Sequence, residues 1–189
     1  MAKLYVIPTG RTTWEEQDRV ESAAGAPLCE QGIQCVQDLA KELTPHNIRT
    51  VYVSSGEAER QTAKLLAKVL KIKMRPDRDL REIDYGLWQG LMLQEIKRRQ
   101  PKLYHQWIES PASVRPPGGE TLAEADRRLR QALSRIVKRQ KEDAALLVLR
   151  PVALGLVRCA LADEPINNLP QHMDRSFRWA SYETDGDLL

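Results

Sequence analysis

Arginines at the ends of apolar runs are the residues whose type and spacing first suggest chemistry in this sequence. Arg11 follows Pro8-Thr9-Gly10 at the end of one run, and Arg150 follows another immediately before Pro151. Arg60 falls near the N-terminal end of a helical stripe, where backbone N–H groups and the helix dipole favour anions. A guanidinium is a planar fork of donors that fits phosphate oxygens, so these positions point to anion binding. Thr9 adds a hydroxyl, which is almost wholly protonated at neutral pH and needs an adjacent base to act as a nucleophile. The three histidines lie apart from these positions. His46 sits in Thr44-Pro45-His46-Asn47, His105 in Tyr104-His105-Gln106-Trp107, and His172 in a poorly patterned tail, so each reads as a surface or loop residue. Cys29, Cys35 and Cys159 are odd in number, with no C-x-x-C spacing and no adjacent histidine. They suggest neither a disulfide framework nor a metal site, and reduced thiols in a cytoplasmic protein are the expectation.

Alternating strands and helices must position these groups. Leu4 to Ile7 is a short buried strand stopped by Pro-Thr-Gly; Val51 to Val53 is a second, ending at Ser54-Ser55-Gly56; Ala144 to Leu149 is a third, ending at Arg150-Pro151. A shorter strand is expected around Ile72 to Met74. Helical stripes run through Ile33, Val36, Leu39, Ala40 and Leu43, and through Ala58, Thr62, Leu65, Leu66 and Val69. Segment 75–90 lacks a helical period and reads as a structured loop. A helix over Leu93 to Arg99 closes at Pro101, and Pro116-Pro117-Gly118-Gly119 is a strong break. Thr121 and Glu124 then form a capping box ahead of a long amphipathic helix carrying Leu122, Leu129, Leu133, Ile136 and Val137. Val152 to Leu161 is a helix opened by Pro151. The tail from Asp163 carries few periodic cues. The predicted fold class is α/β: three layers, with a mostly parallel central sheet covered by helices on both faces. Residues 1–189 are read as one domain with a lid-like insertion around 91–120. In such folds ligands sit beyond the carboxyl ends of the strands, which here are Thr9, Ser54 and Arg150.

Composition removes several other functions. The chain has 29 Lys and Arg against 26 Asp and Glu, a formal charge of +3 too small and too dispersed to argue a nucleic-acid surface. The basic stretches Lys97-Arg98-Arg99 and Arg127-Arg128-Leu129-Arg130 lie in helix-like segments and read as solvated faces. The N-terminal apolar run is too short for a signal peptide, and the longest apolar stretch, Ala144 to Ala162, contains Arg150, Pro151 and Arg158. No membrane partner is expected.

Four blocks, in order, carry a family resemblance: Leu28-Cys29-Glu30-Gln31-Gly32 with Gln34; Ser54-Ser55 with Arg60-Gln61-Thr62-Ala63; Leu80 through Gly90, reading LREIDYGLWQG; and Pro117-Gly118-Gly119-Glu120-Thr121. Over most of residues 3–162 the chain resembles the histidine phosphatase superfamily, which contains cofactor-dependent phosphoglycerate mutases and α-ribazole phosphatase-like enzymes. The resemblance implies a phosphoglycerate mutase-like fold and phosphoryl transfer through a phosphohistidine, with Arg60 binding phosphate and Glu82 protonating the leaving group; the structural alternatives are an ion pair of Arg60 with an acidic neighbour and hydrogen bonds by which Glu82 anchors its loop, and no cofactor is expected. The nucleophile of that family belongs to an Arg-His-Gly motif ending the first strand. Here Pro8 stands for the arginine and Thr9 for the histidine. A second histidine is implied just after the last core strand, where this chain has Arg150, or Pro151 if the register shifts by one.

These replacements imply a pseudoenzyme with no intact catalytic set, in which Thr9, Glu82 and Arg150 are vestigial positions. Thr9, Gly10, Arg11, Arg60 and Arg150 remain as a candidate phosphate-binding group for a phosphorylated small molecule or other anion, with a protein partner as a further candidate ligand. The alternative is a phosphomonoester phosphatase using Thr9, or a water positioned by Glu82, as nucleophile; no metal-ligand cluster is visible in the sequence to activate that water. Oligomeric state is not legible.

Overall fold

The computed structural model describes residues 2–22, 24–140, 144–173 and 176–185. In chain order the elements are β1 (Ala2–Pro8), α1 (Thr13–Glu16), α2 (Glu30–Leu43), β2 (Ile48–Val53), α3 (Glu57–Leu70), β3 (Lys73–Pro76), α4 (Leu93–Arg99), α5 (Pro101–Glu109), α6 (Leu122–Arg139), β4 (Ala144–Leu149), α7 (Pro151–Leu161), α8 (Leu169–His172) and β5 (Ala180–Thr184). The sheet order is β3-β2-β4-β1-β5. The first four strands run parallel, and β5 closes the β1 edge antiparallel.

The strand pattern explains the layers, because successive side chains point to opposite faces. Leu4 and Val6 of β1, with Ala145, Leu147 and Leu149 of β4, face a core built with Leu129, Leu133 and Ile136 of α6 and Leu156 of α7. Tyr5 and Ile7, with Leu146 and Val148, face the other core, against Val36, Leu39 and Leu43 of α2 and Leu66 of α3. Every residue of β4 is buried, as a central parallel strand covered on both faces requires. This is the three-layer α/β fold expected from the alternation of elements.

Three features differ from the sequence reading. Pro101 ends α4 but also occupies the first turn of α5, a position where a missing N–H costs nothing. Segment 75–90 contains two 3-10 turns, Arg78–Leu80 and Gly86–Trp88. Within the described part of the tail lie α8 and β5, and the register of β5 pairs Tyr182 with Leu4 and Ala180 with Val6. Among the described residues no helix is long and apolar enough to cross a membrane.

The start of α6 gives a direct test of the capping box. Thr121 Oγ1 accepts the Glu124 N–H at 3.2 Å, and Glu124 Oε2 accepts the Thr121 N–H at 2.8 Å, while Arg115 donates to Glu124 Oε1 at 2.7 Å. Arg115, followed by the Thr121 backbone and hydroxyl, holds the Glu124 carboxyl at about 2, below its ordinary 4.5. A depressed carboxyl contributes its stability above the unfolded value and loses it as pH falls toward the folded one. The Glu124 side-chain carbon should therefore titrate by NMR with a midpoint near 2, and protection of the first α6 amides should decline across the window from 4.5 down to 2. A midpoint at the ordinary value would show that the box does not hold in solution.

Candidate active site

Because β1, β2 and β4 are parallel neighbours, their carboxyl ends bring Thr9, Ser54 and Arg150 to one edge of the sheet. The Thr9 N–H donates to the Leu149 carbonyl at 2.9 Å, so Thr9 extends the β1–β4 ladder by one residue and its side chain lies beside Arg150. Arg150 is only 2% exposed. Its Nη1 donates to Thr9 Oγ1 at 3.2 Å, and its Nη2 pairs with Glu21 Oε1 at 2.8 Å and Glu15 Oε1 at 3.4 Å. Thr12 Oγ1 donates a short hydrogen bond to the same Glu21 oxygen. Glu21 Oε2 is buried without a hydrogen-bond partner among the described residues.

The electrostatics follow from that burial. Desolvation opposes the charge on Arg150, but the carboxylates of Glu21, Glu15, Glu59 and Glu82 outweigh it and hold the guanidinium protonated. Burial also pushes the Glu21 carboxyl up, against the opposing pull of Arg150 and the Thr12 hydroxyl. Burial, with Glu82 next, pushes the Tyr85 phenol well above its ordinary value, so it stays neutral beside this cluster. Tyr85 in turn meets Trp107 of α5 edge-on at 5.7 Å, which ties segment 91–120 to the site.

Glu82 occupies the adjoining position at the start of α7. Its Oε1 accepts the Ala153 N–H at 2.9 Å and the Ile83 N–H at 2.8 Å, and its Oε2 accepts the Val152 N–H at 3.0 Å. Arg150, the residue preceding α7, makes no side-chain cap there, and Pro151 has no N–H to satisfy. Glu82 thus supplies the missing N-terminal cap of α7 from a distant loop. Burial pushes its carboxyl up, and the three N–H donors and Arg150 oppose that shift.

A chain with this sheet edge also matches a family model: the description "Histidine phosphatase superfamily (branch 1)" fits residues 4–187. The chain belongs to the histidine phosphatase superfamily. Among relatives, Phosphoserine phosphatase 1 of Hydrogenobacter thermophilus is 27% identical over 161 residues, covering 85% of this chain and 76% of that protein. "Probable phosphoglycerate mutase GpmB" of Yersinia pestis is 26% identical over 178 residues, covering 94% and 80%. Among solved structures, YhfR of Bacillus stearothermophilus superposes with a TM-score of 0.90 at 26% identity, covering 98% of this chain and 93% of that one.

Within this histidine phosphatase fold the candidate residues divide into two groups. Thr9, Glu82 and Arg150 come together at the sheet edge, and no described histidine joins them. His46 meets Tyr5 at a tilt and Trp179 edge-on, at ring distances of 5.1 and 4.8 Å, His172 bonds Glu164 at 2.9 Å, and His105 is exposed beside Tyr104. Arg60 and Arg11 turn elsewhere: Arg60 is half-exposed and ion-paired with Glu57 one turn earlier, and Arg11 is exposed and donates to Gln31 Oε1 at 3.1 Å. Each of the two guanidiniums expected at the anion site, Arg60 and Arg150, thus has carboxylate partners within the chain. The Gly10 N–H is given to Thr62 Oγ1 at 3.1 Å, and a Cβ at Gly10 would stand 2.9 Å from the Gly32 carbonyl oxygen. Gly10 lets the loop pack on α2.

Several residues that carried the resemblance hold the loops around the site. Cys29 caps α2, its Sγ accepting from the Gly32 N–H at 3.4 Å, and Gln61 Oε1 accepts the Leu28 N–H at 2.8 Å. Glu120 binds Arg128 at 2.7 Å while its N–H donates to the Asp84 carbonyl at 2.8 Å, joining the 117–121 break to segment 75–90. Sequence reasoning missed Glu15, Glu21 and Glu59. The available signal was Arg150 itself: a charge at the end of an apolar strand must find a carboxylate if it is buried.

Proposed function

We propose that this protein is a pseudoenzyme of the histidine phosphatase superfamily, a binding scaffold without phosphoryl-transfer activity. The observation that carries this reading is the Arg150–Thr9 hydrogen bond, which joins the two positions where the family resemblance implies histidines. An imidazole offers a neutral nitrogen lone pair to phosphorus; a protonated guanidinium offers none, and Thr9 Oγ1 accepts from that guanidinium while no base among the described residues takes its proton. Four carboxylates act on this one cation, so the resting cleft is also electrostatically unfavourable for a phosphomonoester dianion. The relatives named for phosphoserine hydrolysis and phosphoglycerate mutation supply the substrates to try. Purified protein incubated with p-nitrophenyl phosphate, phosphoserine or 3-phosphoglycerate should release phosphate no faster than an Arg60→Ala control or a protein-free blank. Turnover clearly above that control, with phosphate trapped on Thr9, would instead establish the alternative of a phosphatase with a non-histidine nucleophile.

A further inference from the structure

We propose that Glu21 is a tethered internal occupant of the Arg150 fork, a carboxylate seated where a small tetrahedral oxyanion would otherwise bind, so that the cleft is closed to such anions until Glu21 is displaced. This rests on the reading of the site as non-catalytic, and it adds to that reading a built-in competitor. Three observations carry it. First, Arg150 is buried and its terminal nitrogens are already engaged, Nη1 by Thr9 and Nη2 by Glu21 and Glu15. The fork is complete without an external ligand.

Second, Glu21 comes from outside the helices and strands, in the connection between α1 and α2. On its N-terminal side Arg19 bridges Met92, the Val20 N–H donates to the Leu91 carbonyl at 2.9 Å, and the Gly90 N–H donates to the Val20 carbonyl at 2.8 Å. On its C-terminal side the Ala24 carbonyl accepts the Glu57 N–H at 3.0 Å. The carboxylate is thus delivered by loop backbone held on both sides, and its displacement from the fork is a side-chain rotation that leaves the sheet and helices in place. Third, the match is one-sided. Oε1 serves both Nη2 and Thr12, while Oε2 is buried with no partner among the described residues. A buried carboxylate with one idle oxygen is a poorer ligand than a fully bonded one. Of the other carboxylates acting on Arg150, Glu82 is held away from the fork by three backbone donors, Glu59 accepts from Ser54 at 2.9 Å, and Glu15 is a third exposed at the rim. Glu21 is the charge in direct competition with an incoming oxyanion.

The test is binding of inorganic phosphate to the full chain, followed by calorimetric titration and thermal melting, with chloride at matched ionic strength as the control. Wild type should show no saturable phosphate effect. Glu21→Gln, which keeps the shape and the Thr12 contact, should gain saturable binding at least about tenfold tighter than wild type, the scale of removing one like charge a few ångströms away. Glu15→Gln/Glu21→Gln should bind more tightly still, and Glu21→Gln/Arg150→Met should not bind. Folded Glu21→Gln without phosphate binding, or wild type binding as tightly as Glu21→Gln, overturns the proposal. If Glu21→Gln is too unstable to titrate, its melting decides: a melting temperature raised by phosphate and not by chloride at matched ionic strength supports the proposal, and no rise counts against it. Phosphate release by wild type would sink the pseudoenzyme reading and leave these binding curves to settle the role of Glu21.

Discussion

Arg150→Ala should destabilise the protein by about 3–5 kcal/mol at neutral pH, the cost of leaving a buried carboxylate without its cation. Glu21 is 8% exposed, and with Arg150 gone its remaining described partner is the Thr12 hydroxyl. The loss should be specific to charge. Arg150→Met/Glu21→Met should recover most of it, because replacing both members of a buried ion pair with apolar groups is often neutral. The pH dependence has a definite sign. In wild type, burial already pushes Glu21 up and Arg150 opposes it, so deleting Arg150 raises the folded-state value further. A carboxyl whose folded value is raised is penalised while charged and relieved on protonation, so the Arg150→Ala deficit should shrink as pH falls through that raised value. Urea denaturation of the two variants and wild type at neutral and mildly acidic pH measures all three expectations. An Arg150→Ala protein as stable as wild type at neutral pH would mean that the pair is not formed in solution.

Removing Glu82 should have a comparable effect for a different reason. Glu82→Ala orphans the buried N–H groups of Ile83, Val152 and Ala153 together, and a lost bond to a charged acceptor costs about 1.5–3 kcal/mol. With partial rehydration the total should fall near 3–5 kcal/mol. Glu82→Gln keeps one carbonyl acceptor and should lose roughly half as much. Hydrogen exchange separates this from general destabilisation: the Val152 and Ala153 amides should lose protection before those of β4. If both amides remain protected in Glu82→Ala, the α7 cap is supplied by another group.

The layers were legible in the sequence because they arise from local periodicity. The run at Leu4–Ile7, the wholly apolar Ala144–Leu149 and the stripe from Leu122 to Val137 each carry their pattern within one element. β5 was not legible: its five residues alternate only between half-buried and exposed, and it is held by pairing with β1 at the other end of the chain. The convergence of Thr9 and Arg150 followed from the rule that parallel strands present their carboxyl ends together. The company around Arg150 did not. Glu15 lies 135 residues away, and an ion pair across that separation leaves no spacing signature. Arg60 shows the converse: an acidic neighbour is as readable from the sequence as an external anion, and Glu57, one turn earlier in the same helix, is that neighbour.

The Arg150–Glu21 pair also constrains the evolutionary routes open to this chain. A change to histidine at position 150 alone strands the Glu21 carboxylate, whereas a change of Glu21 alone leaves the Arg150 guanidinium with Glu15 and Thr9. The two directions are therefore unequal: replacing Arg150 is the costly step, and a histidine at position 9 alone would place an imidazole against a cation. The network works as a ratchet that holds the strand ends together, so a phosphohistidine pair could be built at positions 9 and 150 only together with replacement of the carboxylates that Arg150 holds.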